Sequence, residues 1–205
     1  AGKRINWAIL LQGAQGTGKS YFAKVLEWVL GSNAKSLDPS ALGERFTGWA
    51  HGSVVNIVEE IRIKGDDKWR IMDRLKPFIT NSMIQIEEKG RDHRTVPNFT
   101  NYLLLTNYKD ALPITNDDRR FCVMYGRIQN EQELFDFFGG REQTADYFEN
   151  LFAESEKHAG GIKGFLLNYK ISDEFKASGR APDTSSRKAM IQATISPEQC
   201  SVEDL

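Results

Sequence analysis

Cysteine and histidine are scarce: Cys122 and Cys200 are the only two cysteines in 205 residues, and His51, His93 and His158 the only three histidines. The cysteines share no C-x-x-C spacing and the histidines are scattered. A disulfide framework and a zinc site therefore have no support, and both thiols are expected to be ordinary reduced ones. Charge of one sign is missing too, since 27 Lys+Arg against 28 Asp+Glu leave a formal net charge of −1. The chain lacks the strongly basic balance of a bulk nucleic-acid binder, so any such contact must come from local geometry. No apolar run approaches the length needed to span a bilayer, and the N-terminus lacks the basic, apolar, small-residue order of a signal peptide. A soluble, cytoplasmic protein with no membrane partner is the expectation. The chain opens at Ala1 and reaches its first apolar strand within about five residues, leaving no room for a helix ahead of the sheet to cover a nucleotide base. It reads as a fragment excised from a longer polypeptide.

What is present is enough hydrophobic residue, 40%, with 11% aromatic, to bury one full core. A single α/β domain with appended helices fits that content. Gly13-Ala14-Gln15-Gly16-Thr17-Gly18-Lys19-Ser20 matches G-x-x-x-x-G-K-[ST] without a mismatch. The apolar run Trp7-Ala8-Ile9-Leu10-Leu11 feeds into it, and Phe22, Val25, Leu26, Val29 and Leu30 follow at helical spacing, with Gly31 where a C-cap glycine belongs. Strand, glycine-rich turn and helix are the context a phosphate-binding loop needs. Backbone N–H groups and the helix N-terminus face the β-phosphate, Lys19 neutralises β/γ oxygens, and the Ser20 hydroxyl ligates Mg²⁺. Gly13, Gly16, Thr17, Gly18, Lys19, Ser20 and Tyr21 are the expected nucleotide contacts, with ATP and Mg²⁺ as the bound species. A chance glycine-rich turn is the competing explanation, and the flanking strand and helix argue against it.

Further along, a short apolar piece surrounds Leu37, a turn falls at Asp38-Pro39-Ser40, and a short amphipathic stretch runs through Leu42 and Phe46. Val54-Val55-Asn56-Ile57-Val58 reads as a buried parallel strand ending in Glu59-Glu60. Trp69, Met72, Leu75 and Phe78 predict a helix; the period then changes to two through Met83, Ile84 and Ile86 and again to Val96-Pro97. A hairpin with its tip near Gly90 explains the change. Tyr102 to Thr106 reads as another buried strand ending at Asn107, and Phe121 to Tyr125 as a further one after Asp117-Asp118-Arg119-Arg120. From about residue 131 the pattern is helical, and Pro182-Asp183-Thr184 signals the start of a last helix through Met190 and Ile191. The expected division is an NTPase core over 1–128 and a C-terminal helical segment over 129–205 packed on it.

Ligands of open α/β sheets bind at the C-terminal ends of the strands, so carboxylates there sit beside the phosphate loop. Glu59 is expected to hold the metal and Glu60 to orient or deprotonate the attacking water. Many ATPases carry Asp where this chain has Glu59, and a plain acidic patch ending a strand is the alternative. Asn107 can bridge the γ-phosphate and the water, or be a polar residue ending a strand. Arg119 and Arg120 are either a solvated turn or an arginine finger, which works from a neighbouring subunit. Lys89, Arg91, His93 and Arg94 project cations from the hairpin, but from Glu87 to Arg94 three acids offset three bases, so a solvated hairpin explains them equally well. Lys76, just before Pro77, fits a helix-end cation.

Taken in order, these features resemble a superfamily 3 helicase motor, and the helicase part of phage and plasmid primase-helicase or primase-polymerase proteins above all. Phe46-Thr47-Gly48-Trp49-Ala50-His51-Gly52, Leu75-Lys76-Pro77-Phe78-Ile79-Thr80 and Asp118-Arg119-Arg120-Phe121 look like that group's connecting segments. The resemblance covers about residues 5 to 195. It implies a P-loop NTPase of AAA+ type: a mostly parallel central sheet flanked by helices, an inserted β-hairpin and C-terminal helices. It implies assembly into a ring, usually a hexamer, with ATP between subunits, single-stranded DNA from a forked duplex in the channel, and 3′ to 5′ travel. By the same resemblance Glu59 and Glu60 are the metal and catalytic acids, Asn107 the sensor and Arg119 or Arg120 the trans-acting finger. Lys89, Arg91 and His93 match the channel hairpin loosely. A fused primase or polymerase region outside the fragment, and a bacterial host cytoplasm if phage-encoded, follow from it. Two other classes stay open. A guanine-nucleotide switch needs N-K-x-D, and Asn107-Tyr108-Lys109-Asp110 has its lysine displaced by one place; a nucleotide kinase would need Arg119 and Arg120 as a lid. A non-hydrolysing ATP-binding assembly module is the other.

Overall fold

A computed structural model describes residues 4–194. Strand β1 (Ala8–Gln12) leads into helix α1 (Lys19–Leu30), then β2 (Ala34–Leu37) and β3 (Val55–Val58). Helix α2 (Lys68–Thr80) precedes the strands β4 (Met83–Ile86) and β5 (Arg94–Pro97), followed by β6 (Asn101–Thr106) and β7 (Phe121–Tyr125). Helices α3 (Glu131–Phe138), α4 (Arg141–Lys157), α5 (Ala159–Asn168) and α6 (Ser185–Thr194) complete the described chain. Five strands form one sheet in the order β2-β3-β6-β1-β7, and every pairing in it is parallel. The protein is α/β, with a parallel central sheet flanked by helices.

The near-continuous apolar runs in these strands follow from burial on both faces. Alternate residues divide between two clusters: Ala8, Leu10, Val58, Leu104, Phe121 and Val123 pack into the larger one with Met72, Leu75 and Ile79 of α2 and Met190 and Ile191 of α6. Ile57, Leu103 and Leu105 point the other way, onto Ala23 and Leu26 of α1. The period-2 geometry of a strand produces that division. Trp7 and Cys122 form a small third cluster with Ala181.

The hairpin β4–β5 is a separate antiparallel pair with Met83 opposite Pro97 and Ile86 opposite Arg94. It is not free of the core: Ile84 and Ile86 are buried in the large cluster, which explains the alternation in that segment. Gly90 lies in the connecting loop at φ 74°, a left-handed conformation suited to glycine. The stretch before β3 folds as two short 3₁₀ turns, Pro39–Leu42, where the sequence places a turn, and Gly48–Ala50. Asp38 begins the first by accepting a hydrogen bond from Ser40 N–H at 2.8 Å. Pro77 sits in the last turn of α2, and the helix nonetheless ends in order, with Asn81 N–H donating to the Pro77 carbonyl. No helix among the described residues is long and apolar enough to cross a membrane.

Candidate functional site

The chain leaves β1 at its C-terminal end, crosses in α1 to the far edge strand β2, and only later adds β7 on the other side of β1. Such a reversal of direction opens a crevice at the strand ends. The loop Gly13–Gly18 lies there, with Gly13 N–H donating to the Thr106 carbonyl at the end of β6. Gly16 and Gly18 take φ of 78° and 83°, left-handed conformations that glycine adopts without strain. Gly18 is the N-cap of α1; no side chain caps this helix and its first turn holds no acid. Its free N–H groups and positive dipole end form an anion site.

Lys19 Nζ donates to the Ala14 carbonyl of the same loop at 2.6 Å, an oxygen that also accepts from Thr17 Oγ1 at 2.8 Å. Burial lowers the Lys19 ammonium below the usual lysine range, and the Glu60 charge partly restores it. Ser20 Oγ donates to Glu59 Oε2 at 2.7 Å, so the serine hydroxyl and the first strand-end acid already share one point in space. Hydroxyl and carboxylate oxygens are the hard donors Mg²⁺ prefers. Glu60 sits at φ 56°, the only positive φ at a non-glycine among the described residues. A left-handed glutamate costs on the order of 1–3 kcal/mol and persists only where surroundings hold it. Here the chain turns away from β3 and is kept against the sheet by Ile61 N–H donating to Leu105 O at 2.9 Å.

One cleft of about 340 Å³ gathers Gly16, Gly18, Lys19, Ser20, Tyr21, Glu59, Glu60 and Asn107. The loop, both acids and the amide thus converge at one rim of the sheet. Gly13 and Thr17 instead face a smaller cleft of about 210 Å³ on the loop's other side, beside Phe22 and Arg127.

Arg119 and Arg120 stand at the opposite rim. The Arg120 carbonyl accepts from Ala8 N–H, at the start of β1, so the length of a five-residue strand, roughly 15 Å, separates them from the loop. Arg119 is exposed, whereas the Arg120 guanidinium lies 3.6 Å from the buried Asp118 carboxylate. Lys76 is 2.8 Å from Asp73 and 4.0 Å from that same Asp118.

The hairpin cations are largely neutralised locally. Arg91 and Arg94 both pair with Glu88, at 3.2 and 3.0 Å, while His93 and Arg45 approach Glu87. Opposing charges lower Glu88 below the usual carboxylate range although desolvation works against them. Lys89 is exposed at the tip.

Residues that sequence reasoning passed over complete the cleft. Phe148 and Phe152 of α4 line it beside Tyr21. The Tyr21 hydroxyl pairs with Ser155 Oγ at 2.8 Å and its ring meets Phe152 edge-on at 5.5 Å. Gln12, buried at the end of β1, donates to the Asn107 carbonyl at 3.2 Å and pairs with Gln129, steadying the Asn107 turn. A glutamine closing an otherwise apolar strand was the available signal for it.

A family model described as a family of unknown function (DUF5906) matches residues 11–120, from the end of β1 to the start of β7. The chain belongs to that family. This DUF5906 chain is similar to the DNA primase-polymerase of Nitratiruptor phage NrS-1, with 22% identity over 197 residues, 95% of this chain and 26% of the relative. Among solved structures it resembles the apo NrS-1 C-terminal region, at TM-score 0.77 and 20% identity over 99% of this chain and 46% of that one. An A-form apo structure of the same region gives TM-score 0.69 and 19% identity, covering 95% and 43%. The chain thus spans about a quarter of the curated relative and under half of the solved regions, and likeness at that identity speaks for a shared fold.

Proposed function

We propose that this DUF5906 chain is the ATP-dependent DNA helicase motor of a replication protein, a P-loop NTPase of AAA+ type. The carrying observation is the convergence of Lys19, the Ser20–Glu59 pair, Glu60 and Asn107 on one cleft beside an uncapped helix N-terminus. In this reading the loop N–H groups and Lys19 grip the phosphates, and Ser20 and Glu59 hold Mg²⁺, whose charge offsets that of the phosphates. Glu60 takes the proton of the attacking water, and Asn107 orients that water against the γ-phosphate. Positioned groups of this kind act mainly by charge stabilisation and alignment.

Lys19 is the only cation lining the cleft among the described residues, too little charge for a triphosphate in its transition state. The missing cation comes from the opposite rim of a second copy, which supports ring assembly, a hexamer in the reading taken here. Arg119 is the better finger, because Arg120 is engaged by Asp118. The similarity to a phage DNA primase-polymerase supports single-stranded DNA as the track and a primase or polymerase region in the same polypeptide.

The test is ATPase rate against single-stranded DNA concentration in a polypeptide carrying the flanking regions. Stimulation by DNA and its loss in Arg119→Ala, with Arg120→Ala impaired chiefly in stability, is the expected result. A Lys19→Ala protein that still unwound forked DNA with ATP would falsify the motor. Glu60→Gln should lower turnover at least about a hundredfold while leaving ATP binding in place; turnover unaffected by it would favour an assembly module that binds nucleotide without hydrolysing it.

A further inference from the structure

The cleft has two chemically different walls. Lys19, Ser20, Glu59, Glu60 and Asn107 make the polar one, at the strand ends; Phe148, Phe152 and the Tyr21 ring make the other. Phe148 and Phe152 are four residues apart on α4 and so share one face of that helix. Phosphate oxygens have no use for such a surface, and a polyanion alone leaves it facing water. A ligand with a charged tail and a flat apolar head satisfies both walls.

We propose that Phe148 and Phe152, with Tyr21, are the stacking wall for the base of the bound nucleoside triphosphate, and that the wall takes either purine because it offers no hydrogen-bonding group to the base edge. The inference rests on the phosphate-loop reading above and adds the substrate class to it. Three observations carry it. The wall borders the same cleft as the loop, with the Phe148 ring so close that a Cβ on Gly18 would come within 2.6 Å of it. The rings are held in advance, Phe152 edge-on to Tyr21 and to Trp28 at 6.2 Å, and Phe148 edge-on to Phe138 at 5.8 Å and Tyr147 at 5.4 Å, which limits the entropy lost on binding. Phenylalanine has no donor or acceptor, and the Tyr21 hydroxyl is already engaged by Ser155. Stacking on aromatic faces tolerates any base and strengthens with ring area.

The decisive measurement is calorimetric titration of the 205-residue chain, in Mg²⁺, with ATP, GTP, CTP, UTP and inorganic tripolyphosphate. Expected are affinities for ATP and GTP within about threefold of each other, with both pyrimidine nucleotides weaker. Phe148→Leu and Phe152→Leu keep apolar volume but remove the flat face; each should weaken ATP and GTP about tenfold and change tripolyphosphate by less than about twofold. Equal losses for ATP and tripolyphosphate, no loss for ATP in either variant, or a strong preference for one purine overturns the stacking wall while leaving the loop intact. Binding of neither ATP nor tripolyphosphate by the unaltered chain overturns the phosphate-loop reading itself.

Discussion

Single positions carry most of the strain and most of the chemistry in this protein. Glu60 holds its carboxylate at the cleft only by adopting φ 56°, a region that asparagine enters more readily than glutamate. Glu60→Asn should therefore raise stability by about 0.5–1 kcal/mol, read from urea unfolding, while ATP turnover is lost; an unchanged or lower stability refutes strain at this site. Gly18 is constrained twice, by φ 83° and by the Phe148 ring. Gly18→Ala should cost about 2–4 kcal/mol, seen as a fall in Tm of roughly 5–15 °C. Cys122 is 7% exposed and burial pushes its thiol up from the usual range, so it should resist alkylation at pH 8 until the chain unfolds. Cys200 lies outside the described residues.

At the level of elements, the motif-bearing ones were the most legible in the sequence. The strands ending in Gln12, Val58, Thr106 and Tyr125 announce themselves as apolar runs because both faces of the sheet are covered, and the residue following such a run must emerge at the rim. That single rule brings Glu59 and Asn107 beside Ser20. The rule fails for the far wall. Phe148 and Phe152 sit in a helix whose aromatic spacing says only that one face is covered, not by what, and the covering partner is about 130 residues upstream at Gly18 and Tyr21. The turn at Asp38-Pro39-Ser40 was legible because its residues carry their own local bond, Ser40 N–H donating to Asp38, whereas the short amphipathic stretch through Leu42 and Phe46 gave no sign of the second 3₁₀ turn at Gly48–Ala50. Helix α6 shows how far a helix can act from its own neighbours in sequence. Buried Arg187 donates to the carbonyls of Thr115 and Asn116, at 2.9 and 3.0 Å, and to that of Asp118. It thereby fixes the loop from which Arg119 projects. Arg187→Leu should cost about 3–5 kcal/mol by stranding those oxygens. It should also reduce DNA-stimulated turnover in the assembled protein, and a variant as stable as the parent would show that the clamp contributes nothing.

For the whole molecule, charge is balanced in number but arranged in pairs. The carboxylates of Glu27, Asp67 and Asp117 are held below their usual range chiefly by hydrogen bonds from Lys24, Arg70 and Thr115. At Asp110 desolvation acts upward, yet the Lys64 hydrogen bond and the Arg62 and Lys64 charges leave it lowered too. Each of these groups binds its proton less tightly folded than unfolded, so its contribution is present above the unfolded value near 4 and is lost as pH falls through the folded one. The urea midpoint should be level from pH 7 to about 5 and drop below about pH 4; a midpoint that rose on acidification would contradict these pairings. The strand order has a different consequence, for assembly of the chain in time. β1 is made first, yet its two partners are β6 and β7, so Leu10 waits for Leu104 and Val123 before either flank is satisfied. Synthesis must pass Val123 before β1 has both of its neighbours, and pairing across so long a stretch of chain is intrinsically slow.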